Sequence, residues 1–172
     1  AALLDSHGRP VSPDLFRALS RRWRPESADL AAVPGPRPGP EPINEALRLG
    51  LDDPEHRSGW ALTDTLAAIA YGAPVSVSGA YPVDFYVPDR ATLRRAIQLL
   101  GVASSHRDRA ATVRVAPVSL VTSRRVDWTP PANIEWPLAH PLFVALDLAQ
   151  DPDRGTEVLA AWEPPGQWQR VW

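Results

Sequence analysis

The chain has 172 residues, 44% of them apolar, and a net charge of −2. That length fits one domain with a satellite, or at most two small domains, and the apolar share argues against global disorder. The absence of cysteine excludes disulfides, thiol catalysis and cysteine metal sites. No apolar run approaches the roughly 18 residues that a membrane span needs, and no signal peptide is visible, so a cytoplasmic protein is the expectation. Ala1 is not an initiator methionine, so residues upstream are expected.

Residues 1–6 are a short apolar start, and His7-Gly8-Arg9-Pro10 reads as a turn. Ser12-Pro13 reads as an N-cap followed by proline in the first helical turn, which predicts a helix over 13–24. Leu15, Phe16, Leu19 and Trp23 form its apolar face, while Arg17, Arg21 and Arg24 form a stripe on another. With Arg22 these are the candidate DNA contacts. Two short helices around a glycine turn fit part of a helix-turn-helix unit, whose arginines would meet phosphate. A complete unit needs another helix, which this stretch does not show. Arginines in a last helical turn also complement its dipole.

Residues 32–42 alternate proline and glycine and read as a linker. The expected organisation is a helical segment over 1–31, the linker over 32–42 and an α/β domain over 43–172. A short helix over 43–49 and a stronger one capped by Thr63 and stopped at Gly72 lead into an apolar run at 75–79. Val83-Asp84-Phe85-Tyr86-Val87, β-branched and aromatic between two prolines, is the best strand. Asp89 is placed to cap a helix over 90–100 that Gly101 ends, with Leu93, Ala96, Ile97 and Leu100 on its inner face. A second strand over 111–118 follows. This order predicts a small mixed sheet with packed helices, an α/β (α+β) fold. Beyond a loop over 122–135, residues 138–150 read as a buried helix. Asp151-Pro152 opens another helix through Trp162, and 167–172 reads as an edge strand.

All 18 basic residues are arginine, and eight of them fall between Asp89 and Arg125 against two aspartates. This basic centre is either solvated surface or a patch for an acidic partner or nucleic acid, with Arg94, Arg95, Arg124 and Arg125 as the candidate partner-binding residues. The histidines at 7, 56, 106 and 140 stand alone, without metal-ligand spacing. Ser78-Gly79 followed by Asp84 on a strand has the outline of a nucleotidyltransferase metal site, which needs two acids one residue apart. Tyr86 stands where the second acid belongs. Asp84 and Asp147 are the candidate functional acids. Asp147, in an apolar helix, must find a donor if buried, with Arg124 or Arg125 as candidates. No catalytic residue, metal site or cofactor is assigned.

Ser58-Gly59-Trp60-Ala61-Leu62-Thr63-Asp64, Tyr71-Gly72-Ala73-Pro74, Asp84-Phe85-Tyr86-Val87-Pro88 and the run from Pro137 to Gly155 resemble actinobacterial proteins related to the AbiEi-type antitoxins of type IV toxin–antitoxin systems. The resemblance covers about residues 58–162. It implies an N-terminal winged helix-turn-helix on operator DNA and a C-terminal α/β domain that counters a nucleotidyltransferase toxin. The expected function is therefore a non-enzymatic antitoxin-like transcriptional regulator with DNA, a protein toxin, or both as partners. The alternatives are a small nucleotidyltransferase-fold enzyme or nucleotide-binding domain using Asp84, and a plain protein-interaction domain with Trp128, Trp136 and Trp168 as exposed anchors.

Overall fold

The computed structural model describes residues 11–33, 58–75, 81–126 and 136–172. Within them lie a four-stranded mixed sheet and six α-helices, the expected α/β class. In chain order the elements are α1 (Ser12–Ser20), β1 (Ser27–Leu30), β2 (Ala61–Thr63), α2 (Asp64–Ala70), β3 (Val83–Val87), α3 (Arg90–Leu100), β4 (Ala111–Val115), α4 (Leu120–Ser123), α5 (Pro141–Leu148) and α6 (Arg154–Ala161). The sheet order is β1-β4-β3-β2, with β3 and β4 parallel and the two outer pairs antiparallel.

Local chemistry accounts for the central β3–α3–β4 unit. Asp89 caps α3 by accepting from the Thr92 amide at 2.8 Å, and Gly101 ends the helix at φ 71°, where a side chain would be strained. Thr92, Leu93, Ala96 and Leu100 are buried, whereas Ala91, Arg94, Arg95 and Gln98 are exposed. α3 runs across β1, β3 and β4, on the face that carries Leu30, Ala111, Val113 and Phe85. Trp60 and Trp136 pack their rings on Phe85 from the same side, at 5.5 and 4.7 Å.

The N-terminal piece is not separate. α1 stops at Ser20 rather than continuing to residue 24, and Trp23 turns inward to stack on Phe143 of α5 at 5.9 Å. The chain then enters β1, which pairs with β4 from Ser27↔Arg114 to Leu30↔Ala111. The expected boundary at residue 31 therefore falls at the end of a core strand, because Trp23 and Leu30 are buried in the common core. No side-chain cap opens α1; Val11, not Ser12, holds the N-cap position.

The C-terminal segment is not an edge strand either. Residues 167–172 wrap the molecule with aromatic side chains, Trp168 against Tyr71 at 5.2 Å and Trp172 against Trp162 at 4.8 Å. Arg170 donates to the Leu159 carbonyl near the end of α6, where a cation meets orphan carbonyls and the negative helix end. The expected helix over 43–49, most of the linker over 32–42 and most of the apolar run at 75–79 lie outside the described residues.

Gly155 lets α6 approach α5. A Cβ built there meets the Leu148 carbonyl oxygen at 1.8 Å, whereas one at Gly166 meets nothing within 4 Å. Gly155→Ala is therefore expected to destabilise the fold by about 1–3 kcal/mol, as overpacking does. Gly166→Ala should leave the urea midpoint close to wild type, and equal midpoints for the two variants would refute the close packing of α6 on Leu148.

Candidate functional site

The two faces of the sheet have opposite chemistry. The register places Asp29, Thr112, Asp84 and Thr63 in one cross-strand row, and Ser27, Arg114, Tyr86 and Ala61 in the next. Both rows point away from the α3 side. α2 and α5 cover the β2–β3 half of this polar face, and the remainder forms one wall of an open cleft of about 450 Å³.

Arg114 is the centre of the polar face. Its guanidinium reaches Asp84 at 2.9 Å, Asp64 at 3.4 Å and Asp147 at 3.9 Å, so carboxylates from β3, α2 and α5 converge on one side chain of β4. Arg154 of α6 lies 3.7 Å from Asp64 as a second, half-exposed cation. Asp147 also accepts from the Tyr86 hydroxyl at 2.5 Å and the Thr63 hydroxyl at 2.9 Å, and Trp23 Nε1 donates to the Tyr86 oxygen at 2.7 Å. Thr63 holds the N-cap position of α2 as expected, but its hydroxyl is spent on Asp147 and makes no capping bond. Asp64 adopts φ 56°, the one positive φ at a non-glycine among the described residues, and accepts from the Thr65 amide and hydroxyl. Such a conformation costs about 1 kcal/mol or more and persists where its surroundings enforce it.

The excess of carboxylate over cation shows in the ionisation of the network. Burial pushes Asp84 up to about 6, against the Arg114 charge that favours ionisation and with Asp64 adding repulsion. Burial likewise raises Asp147, opposed by Arg114. The Tyr86 hydroxyl is raised by burial and by the Asp147 charge, so it stays a donor. Burial alone would lower the Arg114 pKa, but Asp147, Asp84 and Asp64 together outweigh it and hold the guanidinium charged.

Several expected site residues fall elsewhere. Asp147 is paired with neither Arg124 nor Arg125. Arg124 is exposed beyond α4, and Arg125 is buried with Nη1 donating to the Trp60 carbonyl, which removes it from any contact surface. Arg94 and Arg95 stand on the outer face of α3. Arg17 pairs with Asp14 at 3.2 Å, Arg21 and Arg22 are exposed past the end of α1, and Arg24 lines the cleft. His106 lies 2.8 Å from Asp29, and His140 accepts from the Leu142 amide at the start of α5, its pKa lowered by burial. Trp136 and Trp168 are packed rather than free anchors, while Trp128, His7 and His56 lie outside the described residues. Among the described residues, no group of three or more His, Asp or Glu side chains forms a metal-binding arrangement.

Asp64, Arg114 and Arg154 join the site without a sequence motif of their own. One signal was present: Asp84 and Arg114 each sit inside an apolar strand at the same phase of the two-residue repeat, which marks a polar sheet face. Comparison of the chain with family models, curated proteins and solved structures returns no match.

Asp84 holds a proton more tightly folded than unfolded, since its folded pKa of about 6 exceeds the ordinary 3.8. Its contribution is therefore fully present below pH 4 and lost as pH rises through 6, a span on the order of 3 kcal/mol. The gain on acidification from pH 7 to 5 should be smaller in Asp84→Asn than in wild type, as read from urea midpoints at each pH; identical pH profiles would remove Asp84 as the titrating group. Arg114→Leu leaves three carboxylates without their shared cation and should cost about 3–5 kcal/mol at pH 7. That loss should shrink at pH 5, below the Asp84 pKa of about 6, and a pH-independent loss would contradict the arrangement.

Proposed function

We propose that the chain is a non-enzymatic, antitoxin-like regulator that works by binding an acidic protein partner, for which the sequence resemblance points to a nucleotidyltransferase toxin. The observation that carries this reading is the division of charge. The buried acids are spent inside the fold: Asp84 and Asp64 on Arg114, and Asp147 on Tyr86 and Thr63. Arg94 and Arg95 stand exposed, with Arg94 in electrostatic reach of the Asp89 carboxylate that caps the same helix. The inner face of α3 is anchored by Leu93, Ala96 and Leu100, so the helix presents its arginines on a rigid support. Exposed cations of this kind steer encounter with an acidic surface and select against basic ones.

The enzyme reading is less well supported. A nucleotidyltransferase metal site needs free paired acids on β3, whereas Asp84 is bound to Arg114 and position 86 is a tyrosine. Operator binding would draw on Arg21 and Arg22, but the described chain continues from α1 into β1 rather than into a recognition helix.

The test is binding of the full chain to a nucleotidyltransferase toxin from its own genome. Reversal of both charges, Arg94→Glu with Arg95→Glu, should weaken binding by about tenfold at low salt, mainly through slower association. Unchanged association would overturn the assignment to α3. Sequence-preferring binding to upstream DNA that survives this reversal and is lost on Arg21→Ala with Arg22→Ala would move the reading to operator recognition.

A further inference from the structure

The cleft on the polar face has a hydrogen-bonding balance of its own, independent of α3. Four arginines and three aspartates line it, together with His106, Trp23, Gln150 and the two prolines Pro25 and Pro152. The aspartates are already engaged. Asp64 and Asp147 serve Arg114, Thr65, Tyr86 and Thr63, and Asp151 accepts from the Asp153 amide and lies 3.5 Å from Arg154.

The donors are not used up. Each guanidinium offers five N–H groups and no acceptor. Arg24 spends one group on the neighbouring Trp23 carbonyl and has no carboxylate partner among the described residues. Arg109 is fixed by Thr112 through Nε at 3.0 Å and by the His106 carbonyl through Nη1, and its nearest carboxylate, Asp29, is 3.8 Å away. Arg154 lies over the Tyr81 ring at 5.4 Å, and its approaches to Asp64 and Asp151 are 3.7 and 3.5 Å, too long for tight hydrogen bonds. Gln150 Oε1 is a buried acceptor without a partner, while the arginines supply unspent donors, of which Arg109 is fixed by two hydrogen bonds.

We infer that this cleft binds a phosphate monoester. Planar guanidinium forks match oxyanions, and three separate forks offer more donors than the two oxygens of a carboxylate can use, whereas a phosphate presents three. The volume of about 450 Å³ exceeds that of a bare phosphate and leaves space for an organic group against Trp23, Pro25 and Pro152. Arg24 and Arg109 approach from the β1–β4 side and Arg154 from α6, so the phosphate bridges the two walls. The nearby acids limit affinity: on the floor Arg114 pairs with Asp84 and Asp64, and burial favours the protonated form of Asp147.

Isothermal titration of the full chain tests this with inorganic phosphate, glycerol 3-phosphate, a nucleoside 5′-monophosphate and citrate. At least one monoester should bind saturably and more tightly than inorganic phosphate or citrate. Arg24→Gln, an exposed change outside the buried network, should weaken that binding about tenfold or more, and Arg154→Gln should do the same. Arg94→Gln should leave it unchanged, so this inference and the partner reading fail separately. Absence of saturable binding by every phosphate compound, tighter binding of citrate, or full affinity in both Arg24→Gln and Arg154→Gln with unchanged circular dichroism would overturn it.

Discussion

One guanidinium surrounded by three carboxylates sets the terms for half of this molecule. Arg114 and its acids are drawn from β4, β3, α2 and α5, and all four are largely withdrawn from water. Removing charges from solvent costs several kcal/mol per ion, and their attraction offsets this only when geometry is good and the remaining lone pairs are filled. The surroundings meet that demand at some expense. Thr63 gives up its capping bond to serve Asp147, Tyr86 is held by Trp23 to donate to the same acid, and Asp64 accepts a strained backbone to bring its carboxylate to the guanidinium. Each is a local compromise explained only by the centre.

The opposite face follows a different rule. There Leu30, Val113 and Phe85 meet α3, Trp60 and Trp136, and the driving force is burial of apolar and aromatic surface. Because α3 needs only one apolar stripe to stay on the sheet, its outer face is left free to carry Arg94 and Arg95. On the polar side the covering elements stop short of β4 and β1, and the charged floor is left partly open as the cleft. The sheet thus separates a cationic helix surface from a donor-rich cavity.

How much of this was legible in the sequence depends on the distance between the residues involved. Asp89, Gly101 and the β-branched run at β3 act within a turn or a strand, so α3 and its flanking strands could be read directly. β1 could not: Ser27–Leu30 is four residues, half polar, and becomes a strand only because β4 offers it a partner more than eighty residues away. Separation along the chain also hid the cationic partner of Asp147. Arg124 and Arg125 were nearer in sequence, but Arg114 is the arginine that the β4 register turns toward α5. Asp64 was masked by the cap signal at Thr63, which correctly located the start of α2 yet gave no hint that the next residue would point into a buried network. The terminal tryptophans read as strand residues by composition, and they are instead ring-packing closures.

A buried ion network is weak evidence for stability, since apolar side chains of similar size often do as well. Its value here lies in register. β3 and β4 are parallel strands with apolar residues on one face and Asp84, Tyr86, Thr112 and Arg114 on the other. Slipping β4 by one residue against β3 would move Arg114 to the face of Phe85 and Val113, an uncompensated charge among aromatic rings. A two-residue slip would keep the faces but separate Arg114 from Asp84 and Asp64. The ion network therefore excludes both errors, where an all-apolar pair of strands would penalise neither strongly. Since α3 connects these two strands, the same register sets where its outer arginines stand, and the buried acids act on the exposed surface through the backbone they hold in place.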